Sequence, residues 1–288
     1  MAVLYRLKCW DGSEWEFGEP NREPDQGPHV RLALTPTGIM GGTFKSVDRA
    51  NRGQAGVTWF GQEDDPTFHD LTVHFGPMRP GDEAVSYYFE FLKALGRGRH
   101  VNTFYIESDG GGERFQLVRQ VGESGPSDEV VSLLWNVGYA RQSFKLRSDE
   151  TWFRKKPQKK TFFAADFGGA KIPNFGDVGS WPKYTVYGPI TNPTLGIAGE
   201  SVEVKLANGS DLVIPAGEHW TFETDPEFAY IHDNDDLDAW WQVGNVGWYV
   251  KAPELTKTGV PLSLGGTATT GATKIEVELP QLFHFGAA

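Results

Sequence analysis

Reactive side chains do chemistry only at workable spacings, and this 288-residue chain offers seven His, one Cys and 38 Asp and Glu for the purpose. The nearest His pair, His69 and His74, differs in parity along an extended stretch, so the two rings face opposite sides of a strand and make a poor metal site. The lone Cys9 can form neither an intramolecular disulfide nor a Cys-based zinc cluster. No phosphate-binding Gly-x-x-x-x-Gly-Lys, no Gly-x-Ser-x-Gly and no His-Glu-x-x-His occurs. The acidic run Asp233-Asn234-Asp235-Asp236-Leu237-Asp238 invites a calcium reading. A calcium loop, however, needs Gly at its sixth position and Glu at its twelfth, where this run has Asp238 and then Gly244. It reads as a solvated turn. Paired carboxylates could hydrolyse a glycoside, but their separation in space decides that, and nothing in the sequence singles out a pair. The residues therefore predict no catalytic, cofactor-binding or metal-ligating set, and a protein that is not an enzyme.

Binding chemistry is better represented. Trp240 and Trp241, with Trp220 and Trp248 nearby in sequence, could stack sugars, or could anchor a core or a protein partner, the reading favoured here because Trp dominates both. The run Arg154-Lys155-Lys156-Pro157-Gln158-Lys159-Lys160 could meet nucleic acid, but is better read as a solvated loop or a contact to an acidic surface, such as that of another subunit. Net charge is −11. Cut near residue 165, the first part has 21 Lys and Arg against 22 Asp and Glu, and the remainder 6 against 16. The acidic remainder repels phosphates, which argues against nucleic-acid recognition.

The elements that must carry these residues read mostly as β. Short apolar or β-branched runs at 4–10, 30–34, 69–75, 102–108, 115–121, 130–135, 140–147 and 161–165 alternate with Gly, Pro and Asp turns such as Asp11-Gly12 and 109–112. One helix is predicted over Asp82 to Leu95, where apolar residues recur at three and four residue spacing. The Gly-rich stretch 166–180 predicts a boundary between domains 1–165 and 166–288. Beyond it, runs at 184–187, 201–206, 211–214, 219–224, 228–232, 248–250 and 274–279 predict a β-sandwich. The longest apolar runs fall well short of the roughly 20 residues of a membrane span. With Arg6 and Lys8 interrupting it, the start does not read as a signal peptide. Nineteen Phe and ten Trp exclude a disordered chain.

The segment Trp181-Pro182-Lys183-Tyr184, followed by Gly188-Pro189 and Asn192-Pro193, resembles the opening of the C-terminal domain of distal tail proteins, minor tail proteins of long non-contractile phage tails, especially those of actinobacterial hosts. Asn208-Gly209, the 215–218 turn and the closing Gly/Thr stretch into Leu279 also resemble that family, as does Asp149-Glu150-Thr151-Trp152-Phe153 ahead of the second domain. The family's Trp-x-x-hydrophobic-x-Pro-Gly stretch is unmatched, since the run from Trp248 ends in Pro253-Glu254.

The resemblance implies a mainly β protein: an N-terminal β-rich domain with one helix, and a C-terminal sandwich similar to galectins and carbohydrate-binding modules. It also implies a homohexameric ring formed by the N-terminal domains at the distal end of the tail tube. Implied partners are the tail tube protein, the tape measure protein and other minor tail or tip proteins, in a virion component made in the host bacterial cytoplasm. The alternative it leaves open is a tail-tip adhesin that contacts host cell-surface glycan.

Overall fold

A computed structural model describes residues 3–18, 29–50, 55–122, 125–244 and 246–287. The fold is mainly β. The chain forms two compact units, Met1–Arg154 with His284–Ala288, and Lys155–Phe283.

The first unit contains β1 (Val3–Lys8), β2 (Glu14–Gly18), β3 (Val30–Leu32), β4 (Phe44–Arg49), β5 (Thr58–Asp64), β6 (Thr67–Phe75), α1 (Asp82–Ala94), β7 (Asn102–Ser108), β8 (Gly112–Val121), α2 (Asp128–Val137) and β9 (Ala140–Ser148). Its main sheet is antiparallel in the order β2-β1-β7-β8-β9-β6-β3. Alternation along β6 and β7 sends Leu71, Val73, Phe75, Phe104 and Ile106 into the core. The amphipathic α1 lays Phe91 among rings from three strands: Trp15 at 5.1 Å and Phe17 at 6.3 Å on β2, Phe75 at 5.4 Å on β6 and Phe144 at 5.4 Å on β9. Offset and edge-on aromatic pairs of this kind add to simple burial.

Two departures from the sequence reading stand out. Residues 130–135, expected as a strand, lie in α2, so the unit has two described α-helices rather than one. The Ser127 hydroxyl caps α2 by accepting the Val130 N–H, and Gly138 ends it at φ 71°, where a side chain would also collide with the Met78 carbonyl. The second is β4–β5, a two-stranded sheet of its own that the sequence did not signal.

The second unit runs through β10 (Phe153–Phe163, from Lys155 onward), β11 (Lys171–Ile172), β12 (Lys183–Tyr187), β13 (Ile190–Leu195), β14 (Val202–Glu203), β15 (Val213–Ile214), β16 (His219–Glu223), β17 (Tyr230–His232), β18 (Val260–Pro261), β19 (Gly265–Thr267) and β20 (Lys274–Phe283). One sheet has the order β17-β16-β12-β20-β10, and a second places β14, β15 and β19 on β13. Tyr184, Val186, Phe222, Ile231, Ile275 and Val277 of the first pack with Ile190, Leu195 and Ile214 of the second in one buried cluster. Residues 248–250, expected as a strand, carry no ladder.

The seam at Arg154/Lys155 precedes the Gly-rich stretch and lies within β10. It also redistributes the charge. The first unit has 17 Lys and Arg against 22 Asp and Glu and the second 10 against 16, so the acidity is shared rather than confined to one half.

Candidate interaction surfaces

Among the described residues, no three His, Cys, Asp or Glu side chains converge as a metal site would require. His69 is fully buried in the first unit, with Nδ1 3.0 Å from the Thr37 carbonyl and Nε2 2.6 Å from Gln116 Oε1. Burial holds its pKa below the ordinary histidine value. His74 points to the other face, where it meets Tyr139. Burial pushes the Cys9 thiol up to about 12, which leaves it without thiolate character at neutral pH. The acidic run is a closed turn after β17: Asp233 Oδ1 accepts the N–H groups of Asp235 and Leu237, each at 3.0 Å.

The residues that carried the family resemblance are occupied in holding the second unit. The Pro182 carbonyl accepts the Thr224 hydroxyl at 2.6 Å, and Trp181 packs against the core with Lys251 Nζ 5.6 Å from its ring centre. Tyr184 is fully buried. Desolvation, then the charge of Glu200, raises its pKa. Gly188 and Pro189 are joined by a cis peptide and carry the chain from β12 to β13; a side chain at Gly188 would collide with the carbonyls of Ile214 and Pro215. The Pro189 carbonyl accepts the Thr273 hydroxyl at 2.6 Å. Asn192, at φ 48°, anchors the segment before β15, and the Pro193 carbonyl accepts the Val204 N–H at 2.9 Å.

The four tryptophans do not form one platform. Trp220 and Trp248 are buried and both pack near Phe222, at 6.4 and 6.3 Å, so their faces are lost to any ligand. Trp240 and Trp241 sit on a single 3-10 turn at the surface, Trp241 with 74% of its area exposed. Chain proximity suggested a cluster, but burial separates the set into two pairs.

The basic run is likewise not a solvated loop. It lies on β10, beside β20, where Lys159 Nζ meets Glu278 at 2.7 Å and Lys160 Nζ donates to the Lys171 carbonyl at 3.0 Å. These lysines are matched to acceptors within their own unit.

Two further exposed apolar surfaces lie in the first unit. Every residue of β4 and all but Gly61 of β5 are exposed, Trp59 by 66% and Phe60 by 68%, with Phe44 and Val47 also exposed. The root is fastened: Lys45 and Thr43 both bond the Asp65 carboxylate, and the Asp65 N–H donates to the Thr43 carbonyl. A lone two-stranded ribbon is marginally stable in water. On α2, Val130 and Leu134 face inward, while Leu133, Trp135 and Val137 stand exposed. Both surfaces have the composition of protein interfaces.

No family model matches the chain, and neither does any curated protein. Solved structures do. The Dit protein (gp 19.1) of phage SPP1, described as a paradigm of the hub adsorption apparatus in phages infecting Gram-positive bacteria, superposes with a TM-score of 0.62 at 9% identity, over 97% of this chain and 99% of that one. A chain of the phage P2 baseplate in its activated conformation matches at 0.51 with Ca and 0.53 with Sr, each at 10% identity, over 99% of this chain and all of that one. Both units therefore share the fold of phage tail hub proteins.

Proposed function

We propose that this chain, with its distal-tail hub fold, is a structural virion protein that forms a ring at the end of a long non-contractile phage tail and joins the tail tube to the tip. The carrying observation is the match to SPP1 Dit along nearly the whole of both chains. The free-standing β4–β5 ribbon supports the ring: a heterologous contact places one patch of a subunit against a different patch of the next, and the exposed face of α2 supplies a second patch. Six copies is the stoichiometry assigned here, with the first unit forming the ring and the second displayed. Trp240 and Trp241 then serve as anchors for a tail or tip partner. Tail tube and tape measure proteins are the neighbours, and no enzymatic step is assigned.

Electron microscopy and light scattering of the purified chain, alongside immunolabelling of intact tails, test this. Sixfold rings, or labelling confined to the tail end, support the reading. A monomer at high concentration together with absence from virions overturns it.

A further inference from the structure

Strands β3, β6 and β9 of the first unit send alternate side chains into the core and leave the others on the opposite face of the sheet. Register sorts that outward face into rows. Arg31, His74 and Arg141 are direct neighbours across the three strands, so an imidazole stands between two guanidiniums. At the usual strand spacing the two arginine backbones are roughly 10 Å apart, a gap that side chains of this length close around one small ligand. Two residues along, Thr72 and Ser143 form the next row, with their hydroxyls 3.1 Å apart. Arg31, His74 and Thr72 are half-buried, and Arg141 and Ser143 are exposed.

Charge distinguishes this end of the face from the other. Further along the same strands Lys145 Nζ lies 3.6 Å from Asp70, and Arg147 and Arg119 share Asp149 at 2.7 and 3.2 Å. Those cations are neutralised in place. Among the described residues, no carboxylate is ion-paired with Arg31 or Arg141. Burial, and then the charges of Arg31 and Arg141, hold the His74 pKa below the ordinary histidine value. The other groups facing His74 supply no counter-charge: Tyr139 is hydrogen-bonded to its Nδ1, Thr72 is neutral, and Asp70 is occupied by Lys145 and the Thr37 hydroxyl. Like charge concentrated in this way attracts anions.

The donors select among anions. With Nδ1 of His74 taken by Tyr139, its Nε2, two guanidinium forks and two hydroxyls face a ligand. One bidentate fork saturates a carboxylate. A phosphate group has oxygens enough for both forks and the imidazole together, in a geometry that guanidinium matches. An apolar ligand would leave the guanidiniums covered and unpaired. We propose that the row of Arg31, His74 and Arg141, with Thr72 and Ser143 beside it, is a binding site for a phosphate group. The assignment goes beyond the tail role and concerns one subunit's own face, so a chain that never assembles still tests it.

The test is NMR of the full chain with isotope-labelled histidine rings, titrated with inorganic phosphate, glycerol 3-phosphate and dimethyl phosphate, and with acetate as the control anion at equal ionic strength. The first two stand for free phosphate and a monoester and the third for a diester, so their relative affinities tell the sources apart. Expected is a saturable shift of the His74 ring signals, with Kd on the order of 1 mM. The pH at which His74 titrates should rise once the ligand is bound, because the anion offsets the two guanidiniums that depress it. Arg31→Gln and Arg141→Gln should each weaken binding about tenfold or more. Arg141→Lys should restore only part of the loss, because the fork is gone. Lys145→Gln, at the neutralised end of the face, should leave binding unchanged. The proposal is overturned if no phosphate compound gives a saturable His74 shift, if acetate binds as well, or if Lys145→Gln weakens binding as much as the arginine changes do.

Discussion

Asn192 and Leu212 grip one another twice: the Asn192 side-chain oxygen accepts the Leu212 N–H at 2.9 Å, and the Asn192 backbone N–H donates to the Leu212 carbonyl at 2.9 Å. Asn192 adopts φ 48°, a left-handed conformation that Asn tolerates better than most residues. Asn192→Ala loses the side-chain bond and retains the strain, so it should destabilise the chain by about 1–3 kcal/mol. Asn192→Gly relieves the strain but not the bond and should fall between the two. Chemical denaturation of the three proteins ranks them, and equal midpoints for wild type and Asn192→Ala would sink the argument.

The ribbon predicts a separation of stability from assembly. Trp59→Ser with Phe60→Ser removes two exposed rings that little in their own subunit supports. Folding stability should change by no more than about 0.5 kcal/mol per site, as at ordinary surface positions. Ring formation, followed by sedimentation or electron microscopy, should be lost. Rings of normal yield from the double variant would show that the ribbon is not a subunit contact.

The Tyr184 hydroxyl is buried and has no hydrogen-bond partner among the described residues. Burying such a group unpaired is unfavourable, so Tyr184→Phe should be neutral or stabilise by about 1 kcal/mol. A loss of stability in calorimetry would reveal a partner for that oxygen.

Burial raises the Glu223 carboxyl above its ordinary value, a shift that Lys183 and the Asp225 N–H partly oppose. A carboxyl raised by folding binds its proton more tightly in the native state than in the unfolded one. Its contribution is complete below the unfolded value, and stability is lost as pH rises through the native value. Glu223→Gln keeps an acceptor for the Asp225 N–H, which Glu223 Oε1 accepts at 3.3 Å, and removes the charge. Its melting temperature should exceed that of wild type at pH 7 and match it near pH 4. An unchanged difference across that range would assign the gain to something other than the proton.

Much of the strand framework was legible because turn residues bracket it; the reading of 102–108 coincides with β7, and Asp82 to Leu95 with α1 to within one residue. Helix α2 was hidden because its outward Leu133, Trp135 and Val137 are as apolar as its inward Val130 and Leu134, which erases helical periodicity. The β4–β5 ribbon escaped for a related reason: with neither face buried, nothing imposes alternation on it. Which tryptophans are core and which are surface was not legible, because identity does not encode burial: Trp220 and Trp248 are buried, Trp240 and Trp241 exposed. Thr185 and Thr221 are neighbours across two strands 36 residues apart, a pairing that only register supplies.

The return of His284–Ala288 to the first unit makes the second unit an insertion anchored at both ends rather than an appendage on a single linker. Its two ends are neighbours, with Lys155 Nζ 5.2 Å from the Phe283 ring centre. Tension on the second unit is thus carried by two strands of covalent chain at once. The same closeness makes that unit an exchangeable cassette, since a replacement of different size or specificity needs only matching ends to leave the first unit's own chain path intact.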